Sequence, residues 1–401
     1  MIKVKKALAA LFLFTLLTTQ TGCKIAFYGR TEMNRIEFIR VVGVDKASDA
    51  EDKVRLTIAT QNVQLGGGSG GQQKQSDILY SEGSTIFEAV RNFWNFMDKR
   101  PFWGHLDYVL IGEEAAKDGL LKYIDFFCRD PEVRLNLKVY IMKGMSAEEV
   151  IKKASSKEKF IFDRLEGVAE NQWGQSVFNV VDLIEVMYIL DNEFLSLYVP
   201  CIELMKLTQD DQNESEKKDI VMGGFAIFNG DKLAGHLDDK MGRGLNWLRN
   251  KMMSGVISVK SPKGHNISLE IIESNTKLEP EITDGQLTIN VRVRMSSNIN
   301  GIRSSEDIFT GEVIQYLENQ QEQIICDEIN GVIHYAQETK MDFFSTADAV
   351  FHKYPAQWED LFKNNWKDTF PNIKFNVSAD SKIRKTYDFK QPGGSKAGEA
   401  R

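Results

Sequence analysis

The sequence predicts an α+β protein with mixed, largely antiparallel sheets, flanking helices and more than one domain. Segments rich in Val, Ile, Phe and Thr are typical of strands, and several of them lie in hairpin spacing. The helical patterns between them do not follow the regular βαβ alternation of a doubly wound sheet. At about 150 residues per domain, a length of 401 residues predicts two or three domains.

The composition argues against several classes of protein. Hydrophobic residues make up 42% of the chain and charged residues 27%, which is an ordinary globular balance. The formal net charge of −7 argues against a protein whose main task is to bind nucleic-acid phosphate. Four cysteines in a chain of this length do not make a disulfide scaffold.

The first 22 residues have the pattern of a signal peptide. Lys3, Lys5 and Lys6 precede an apolar stretch, residues 7–17, that is interrupted only by Thr15. This stretch is too short to cross a bilayer core, which needs roughly 20 residues, and it fits the h-region of a secretory signal. No other segment reaches about 18 consecutive apolar residues, so we expect no second membrane segment.

Cys23 directly follows the small residues Thr21 and Gly22. A small pair before a cysteine resembles the bacterial lipoprotein signal, so cleavage is predicted between Gly22 and Cys23. The thiol of Cys23 would then carry an S-diacylglyceryl group, and its new amino group an N-acyl chain such as palmitate; more than one chain gives stable anchoring. Loss of the three lysines would take the formal charge from −7 to −10. The alternative is an ordinary secretory signal with an incidental cysteine.

After a polar tether at 23–35, an N-terminal α+β domain is expected over 36–145. Its predicted strands lie at 36–45, 54–63, 77–80, 105–112 and 135–142, and its predicted helices at 84–99 and 113–128. The glycines of 65–71 match the spacing of a dinucleotide fingerprint. A strand follows them where that motif needs a helix, so a flexible loop is predicted.

A middle, mostly helical domain is expected over 146–207. Ser146 and Glu149 have the spacing of a capping box, which predicts the start of a helix. The other elements predicted in this domain are two helices and one strand, at 157–170, 177–190 and 195–207. Pro200 lies inside that strand and favours an edge strand or a bent one.

An acidic linker is predicted over 208–219, because this segment holds five carboxylates and no apolar residue. A C-terminal α+β domain is expected over 220–390, followed by a disordered tail over 391–401. The domain begins with a hairpin whose turn is Asn229-Gly230. Its other predicted elements are strands at 256–260, 267–273, 286–295 and 373–379, and helices at 239–253, 310–338, 342–353 and 358–368.

The sequence contains no recognisable catalytic, cofactor-binding or metal-binding motif. The five histidines are scattered, and none has the spacing of a zinc site. No nucleophile elbow, phosphate-binding loop or zinc-protease helix occurs. Cys128, Cys201 and Cys326 lie far apart among apolar residues, so buried free thiols are expected, with one disulfide as the alternative. The residues therefore give no positive case for an enzyme, and no catalytic, cofactor-binding or metal-binding residue is assigned.

Three groups of segments, taken in order, resemble one family. The first is Gly22-Cys23 followed by 36–45, the second runs through 82–90 and 104–116 to 127–130, and the third combines 224–228 and 231–235 with 352–355 and the segments of Trp358 and Trp366. In their order and spacing they resemble the Ger(x)C family, the lipoprotein C subunits of bacterial spore germinant receptors.

The resemblance implies a non-enzymatic protein of three α+β domains, held by lipid on the outer face of the spore inner membrane. It implies assembly with an A subunit, which has membrane and soluble parts, and with a transporter-like B subunit, in a receptor that responds to nutrient germinants. The alternative function is a lipid-anchored extracytoplasmic solute-binding protein, which would need two α/β lobes around a cleft. An exported hydrolase is a more distant alternative.

Overall fold

The structure is a computed structural model that describes residues 33–47, 52–64, 73–155, 160–206, 218–302 and 308–385. Within these residues, an eight-stranded sheet and a four-stranded sheet form two units, and a two-stranded parallel sheet lies near the N-terminus. Helices flank both large sheets. The α+β class predicted from the sequence is therefore confirmed.

The strands are numbered along the chain. They are β1 (Ile36–Phe38), β2 (Val41–Lys46), β3 (Val54–Gln64), β4 (Gln73–Gly83), β5 (Arg100–Phe102), β6 (Tyr108–Ile111), β7 (Lys138–Met142), β8 (Tyr198–Lys206), β9 (Lys218–Asn229), β10 (Lys232–Leu237), β11 (Gly255–Lys260), β12 (Asn266–Thr283), β13 (Gln286–Ile302) and β14 (Lys374–Lys385).

The helices are numbered in the same way. They are α1 (Ile86–Asn92), α2 (Glu113–Asp118), α3 (Leu121–Arg129), α4 (Ala147–Ala154), α5 (Ile161–Glu170), α6 (Leu183–Leu190), α7 (Asp239–Leu248), α8 (Gly311–Thr339), α9 (Thr346–Lys353), α10 (Pro355–Gln357) and α11 (Trp366–Thr369).

The large sheet has a parallel centre and antiparallel flanks. Its order is β10-β9-β8-β7-β6-β2-β3-β4, and the pairs from β2 through β6 and β7 to β8 are parallel. All four residues of β6, Tyr-Val-Leu-Ile, are buried. A strand that is buried on both faces consists mainly of consecutive apolar residues, which explains why polar and apolar residues do not alternate along β6 and β7.

The two faces of this sheet pack different helices. Val109 and Ile111 face a core that includes residues of α1 and α3, such as Ala89 and Ile124. Leu110, the residue between them, faces a second core that contains residues of α4 and α5. Alternate residues of one strand point to opposite faces, so β6 contributes to both cores.

The large sheet continues across the predicted linker at 208–219. Most of that segment lies outside the described residues, but β8 and β9 on its two sides pair antiparallel, from Tyr198↔Ile227 to Lys206↔Lys218. Residues of the predicted N-terminal and middle domains share this sheet. The second sheet begins only at β11, so the first two strands of the expected C-terminal domain, β9 and β10, extend the large sheet.

Of the two alternatives predicted for the strand of Pro200, the edge strand is wrong, whereas the irregular register beside Pro200 fits a bent strand. β8 runs between β7 and β9. Its pairing with β7 begins only at Cys201, and its register with β9 shifts between Pro200 and Ile202. The missing N–H of the proline therefore falls where the ladder is irregular, which makes it tolerable inside the sheet.

One predicted helix start is confirmed, and two predicted helices are interrupted. Ser146 caps α4 as expected, since its hydroxyl accepts the N–H of Glu149 at 3.1 Å. The predicted helix over 113–128 is two helices, because Gly119 has a φ of +128° between α2 and α3. The predicted helix at 358–368 consists of a π-helical turn and shorter turns.

The second unit is a four-stranded sheet under one long helix. Its order is β11-β12-β13-β14, and β14 pairs parallel to β13. The helix α8 spans the predicted range, with Thr310 accepting the N–H of Val313 as its N-cap. Five apolar side chains of this helix are buried, namely those of Leu317, Ile325, Ile329, Val332 and Ile333. α8 thus closes the core of the second unit.

The helices α7 and α8 cross in close contact at Gly244. A Cβ atom built on Gly244 would lie 2.3 Å from the carbonyl oxygen of Glu328 and 2.6 Å from a methyl group of Val332. Only a residue without a side chain allows the two backbones to approach this closely. This crossing joins the chain of the large sheet to the helix of the second unit.

Gly244→Ala is expected to lower the free energy of unfolding by roughly 1–3 kcal/mol, because the methyl group would push two packed helices apart. Gly331→Ala is the matched control, since Gly331 lies in α8 with open space around it. There the same change should raise stability by about 1 kcal/mol through helix propensity. Chemical denaturation measures both; equal effects would contradict the close crossing.

Candidate functional site

The predicted lipidation site lies outside the described residues. Gly22 and Cys23 both precede Met33, where the described chain begins, so the anchor stays a prediction. Among the residues that are described, no helix is long and apolar enough to cross a membrane. What the structure shows is the place where the chain that follows Cys23 enters the fold.

The entry point is fixed by β1. This strand pairs parallel with β5, and its first residue, Ile36, lies opposite Arg100. The Lys99 ammonium group contacts the Glu37 carboxylate at 3.2 Å, and the Phe38 ring stacks edge-on against His105 at 5.0 Å. The N-terminal end of the described chain is therefore held beside the segment that leads into β5.

Exposed aromatic and basic side chains surround this entry. Phe87, Trp94 and Phe96 are 53%, 49% and 52% exposed, and Leu121 is 40% exposed. The Arg91 guanidinium lies 5.1 Å from the centre of the Phe87 ring and 4.6 Å from that of Trp94. We call this surface the aromatic–basic face; it consists of Phe87, Arg91, Trp94, Phe96, Arg100 and Leu121.

An apolar groove forms one side of the aromatic–basic face. It has a volume of about 710 Å³ and is lined by residues of α1, α3 and the turn after α3, among them Phe87, Leu121 and Phe126. The rings of Phe87 and Phe126 are 6.3 Å apart. The exposed rings are thus packed against rings that lie deeper in the protein. A contiguous apolar surface of this kind is typical of an interaction site, whereas single exposed apolar residues are not.

A second apolar surface lies where α6 meets α9. Tyr188, Phe351 and Trp358 line a groove of about 580 Å³. The carboxylates of its rim are those of Asp191, Glu193, Asp348 and Glu359. The charge of Asp348 raises the pKa of Tyr188. We call this surface the acidic-rimmed face.

A narrower crevice separates the two units. It holds about 280 Å³ between residues 189–197 of the first unit and residues of the second, including Lys340 and Trp366. The backbone crosses it, because Ser196 donates its N–H to the carbonyl oxygen of Asp342 at 2.9 Å. The crevice is smaller than the roughly 300–1,000 Å³ of ordinary ligand pockets.

Charged side chains gather at the carboxyl ends of the parallel strands, where open α/β sheets often bind ligands. Lys143, after β7, contacts Glu203 of β8 at 2.6 Å, and Lys117 contacts Glu113 at 2.8 Å. Burial lowers the pKa of the neighbouring His236. The carboxylates are held by lysines, and the described residues contain no cluster of His, Cys, Asp or Glu arranged to hold a metal ion.

The three cysteines beyond Cys23 are free thiols in the structure. Burial raises the pKa of Cys128, of Cys201 and of Cys326, which disfavours the reactive thiolate. Cys201 is fully buried in β8. The expectation of free thiols is met for these residues, and none of them is placed beside a base that would activate it.

Two buried carboxylates are functional candidates that the sequence did not single out. Asp45 accepts the N–H groups of Ala147 and Glu148 at 2.8 and 2.9 Å, so it caps α4 from another strand. Asp342 accepts those of Thr346 and Ala347 at 3.0 and 2.8 Å, at the start of α9. Burial raises the pKa of both side chains to about 6. An aspartate four residues before a helix was the only local signal for Asp342, and Asp45 had none.

The fold and these surfaces define a class of protein: an α+β protein of two units with exposed apolar faces and, among its described residues, no cluster arranged to hold a metal ion. Two family models match the chain in order. "Spore germination protein N-terminal domain" matches residues 29–204, and "Spore germination B3/GerAC like, C-terminal" matches residues 223–387.

Relatives and a solved structure agree with these matches. Spore germination protein KC of Bacillus subtilis is 25% identical over 402 residues, which is 96% of each chain. Spore germination protein B3 of the same organism is 23% identical and covers 92% of this chain and 96% of its own. The crystal structure of the GerBC protein matches with a TM-score of 0.54 at 20% identity, over 85% of this chain and 96% of that chain. The chain belongs to the Ger(x)C family of spore germination proteins.

Asp342→Asn should change stability in a pH-dependent way. The raised pKa of Asp342 in the folded state, about 6 against 3.8, means that the folded protein binds more protons than the unfolded chain between pH 4 and 6. Wild-type stability therefore falls as the pH rises through this window, whereas the neutral asparagine contributes no such loss.

The expected result is that the variant is less stable than wild type by a wider margin at pH 4 than at pH 7, with the margin changing by roughly 2–3 kcal/mol. Chemical denaturation at the two pH values measures it. A margin that does not change with pH would show that Asp342 titrates in the folded protein as it does in the unfolded chain.

Proposed function

We propose that this protein is a non-enzymatic, lipid-anchored subunit of a spore germinant receptor, required for the response to nutrient germinants. The observation that carries the proposal is the ordered match of both family models, at 29–204 and 223–387, which together span nearly all of the chain after Cys23. The similar proteins named KC and B3 are spore germination proteins.

In this proposal, cleavage between Gly22 and Cys23 leaves Cys23 with its acyl groups, and the protein lies on the outer face of the spore inner membrane. An anchor confines the two units to a plane beside membrane partners. Confinement turns assembly into an effectively intramolecular event and raises the local concentration. The proposed partners are the A subunit, with membrane and soluble parts, and the transporter-like B subunit.

The geometry supports a role in contact more than in chemistry. The cysteine thiols are held in their unreactive form, and the lysines at the carboxyl ends of the parallel strands are paired with Glu113 and Glu203. Among the described residues, no element covers the apolar faces, whose side chains are exposed. Faces of this kind mark sites of protein or membrane interaction.

The alternative of a solute-binding protein is not favoured by the structure. Such a protein needs two α/β lobes around a hinged cleft, whereas the second unit here is a four-stranded sheet under one long helix. The crevice between the units is small, and a backbone hydrogen bond from Ser196 to Asp342 crosses it. No specific observation therefore supports solute binding as a second function.

Cys23→Ala is expected to release the protein from the spore membrane fraction and to weaken the response to nutrient germinants, because no acyl chain can be attached. The matched control is Cys128→Ala, which removes a free, half-buried thiol of the folded part of the chain. Membrane fractionation and germination assays measure both variants. If the Cys23 variant stays in the membrane and germination is normal, the anchor is not needed.

A further inference from the structure

We propose that the aromatic–basic face lies in the headgroup region of the lipid bilayer and so gives the anchored protein a fixed orientation. This inference rests on the acyl anchor at Cys23 proposed above, and it goes further by naming a second contact with lipid. The ligand is the surface of a phospholipid bilayer.

The length of the tether brings this face to the membrane. Ten residues lead from Cys23 to Met33, where the described chain begins. Fully extended, they span at most about 35 Å, and a relaxed chain spans less. β1 follows at once, and Ile36 lies opposite Arg100, a member of the face. The first described strand of the anchored chain thus lies at the edge of the aromatic–basic face.

The residue types fit a membrane–water interface. Aromatic rings, Trp above all, are enriched at that level of a bilayer, and the side chains of Phe87, Trp94 and Phe96 are each about half exposed. The Arg91 guanidinium lies over two of them. Among the described residues it has no carboxylate partner, so it is able to bind a lipid phosphate while its stem lies along the rings.

The charges around the face are balanced and do not repel lipid phosphate. Glu37 is paired with Lys99, Asp125 with Arg129, and Glu132 with Arg100. Two further acids lie nearby, Glu88 at the start of α1 and the exposed Asp98. Contact with lipid would therefore depend on the insertion of rings, helped by Arg91, and only weakly on salt concentration.

The rest of the protein favours the same orientation. The chain after Cys23 has a formal charge of −10, against −7 for the whole sequence, so most of its surface is repelled by anionic lipid. The acidic-rimmed face carries four carboxylates around its groove. It also has exposed apolar side chains, but its carboxylates outnumber its one lysine, Lys363, which pairs with Glu359. The charges around the aromatic–basic face are largely balanced, so the acidic-rimmed face serves as the internal control.

The experiment uses the full acylated protein in vesicles of phosphatidylethanolamine and phosphatidylglycerol, with lipids brominated near the headgroup as quenchers of tryptophan fluorescence. Flotation of the vesicles first establishes that the protein is anchored. Trp94 is the reporter. Its fluorescence is obtained by subtracting the emission of the Trp94→Phe variant from that of wild type. In the control protein, Tyr188→Trp is added to Trp94→Phe, which places the reporter on the acidic-rimmed face.

Brominated lipid is expected to quench Trp94 several-fold more strongly than the reporter at position 188, and the quenching should persist at high salt. Phe96→Ser with Leu121→Ser should reduce it without changing flotation or the unfolding midpoint, because both side chains are exposed. Equal quenching of the two reporters, or none, in vesicles that float with bound protein would overturn the docking face and leave the anchor standing. Failure of wild type to float would overturn the anchor, and this inference with it.

Discussion

The antiparallel pairing of β8 with β9 is the contact on which the arrangement of the two units depends. β8 is the last strand of the parallel centre, and β9 leads through β10 into α7. The pairing is extended by the N–H of Phe228, which donates to the carbonyl oxygen of Leu197 at 2.9 Å. Each such bond contributes only about 1 kcal/mol net, but an unpaired buried backbone group would cost more. The ladder therefore fixes where α7 begins and where the second unit can dock.

A buried polar contact then sets how the second unit docks. Trp247 of α7 donates its indole N–H to Glu328 of α8 at 2.9 Å, and the Arg243 guanidinium lies 3.4 Å from the same carboxylate. Burial raises the pKa of Glu328, and the positive charge of Arg243 and the indole bond act against that rise. Buried pairs of this kind contribute little net stability, but removal of one partner is costly. Together with the missing side chain at Gly244, they allow one crossing geometry.

Some of the exposed apolar side chains lie in two groups, at the entry of the chain and between α6 and α9, while others, such as Tyr80, Ile272 and Tyr316, are scattered over the surface. The two groups differ in charge. For a protein held beside a membrane, this difference would separate the side that faces lipid from the side left for other contacts.

Local features of the sequence determined much of this structure. The Asn229-Gly230 turn, the Ser146 cap and the apolar spacing of α8 all predicted what is observed, because each depends on interactions within a few residues. The signal peptide before Cys23 is likewise predicted from sequence alone, and it lies outside the described residues. The Ger(x)C resemblance was also carried by the order of sequence segments.

The tertiary structure alone decided which distant strands pair. An apolar run such as β6 indicates that the strand is buried on both faces, but it does not show which strands lie beside it. The parallel centre of the large sheet, the inner position of Pro200 and the parallel pairing of β14 therefore could not be predicted from local sequence. Burial of Asp45 and Asp342 depends on residues about 100 positions away or on another unit. The aromatic–basic face joins α1, α3 and β5 in the same way. The spacing of apolar residues indicates whether a side chain is buried or exposed. Strand pairing, buried carboxylates and surface groups depend instead on which distant elements the folded chain brings together.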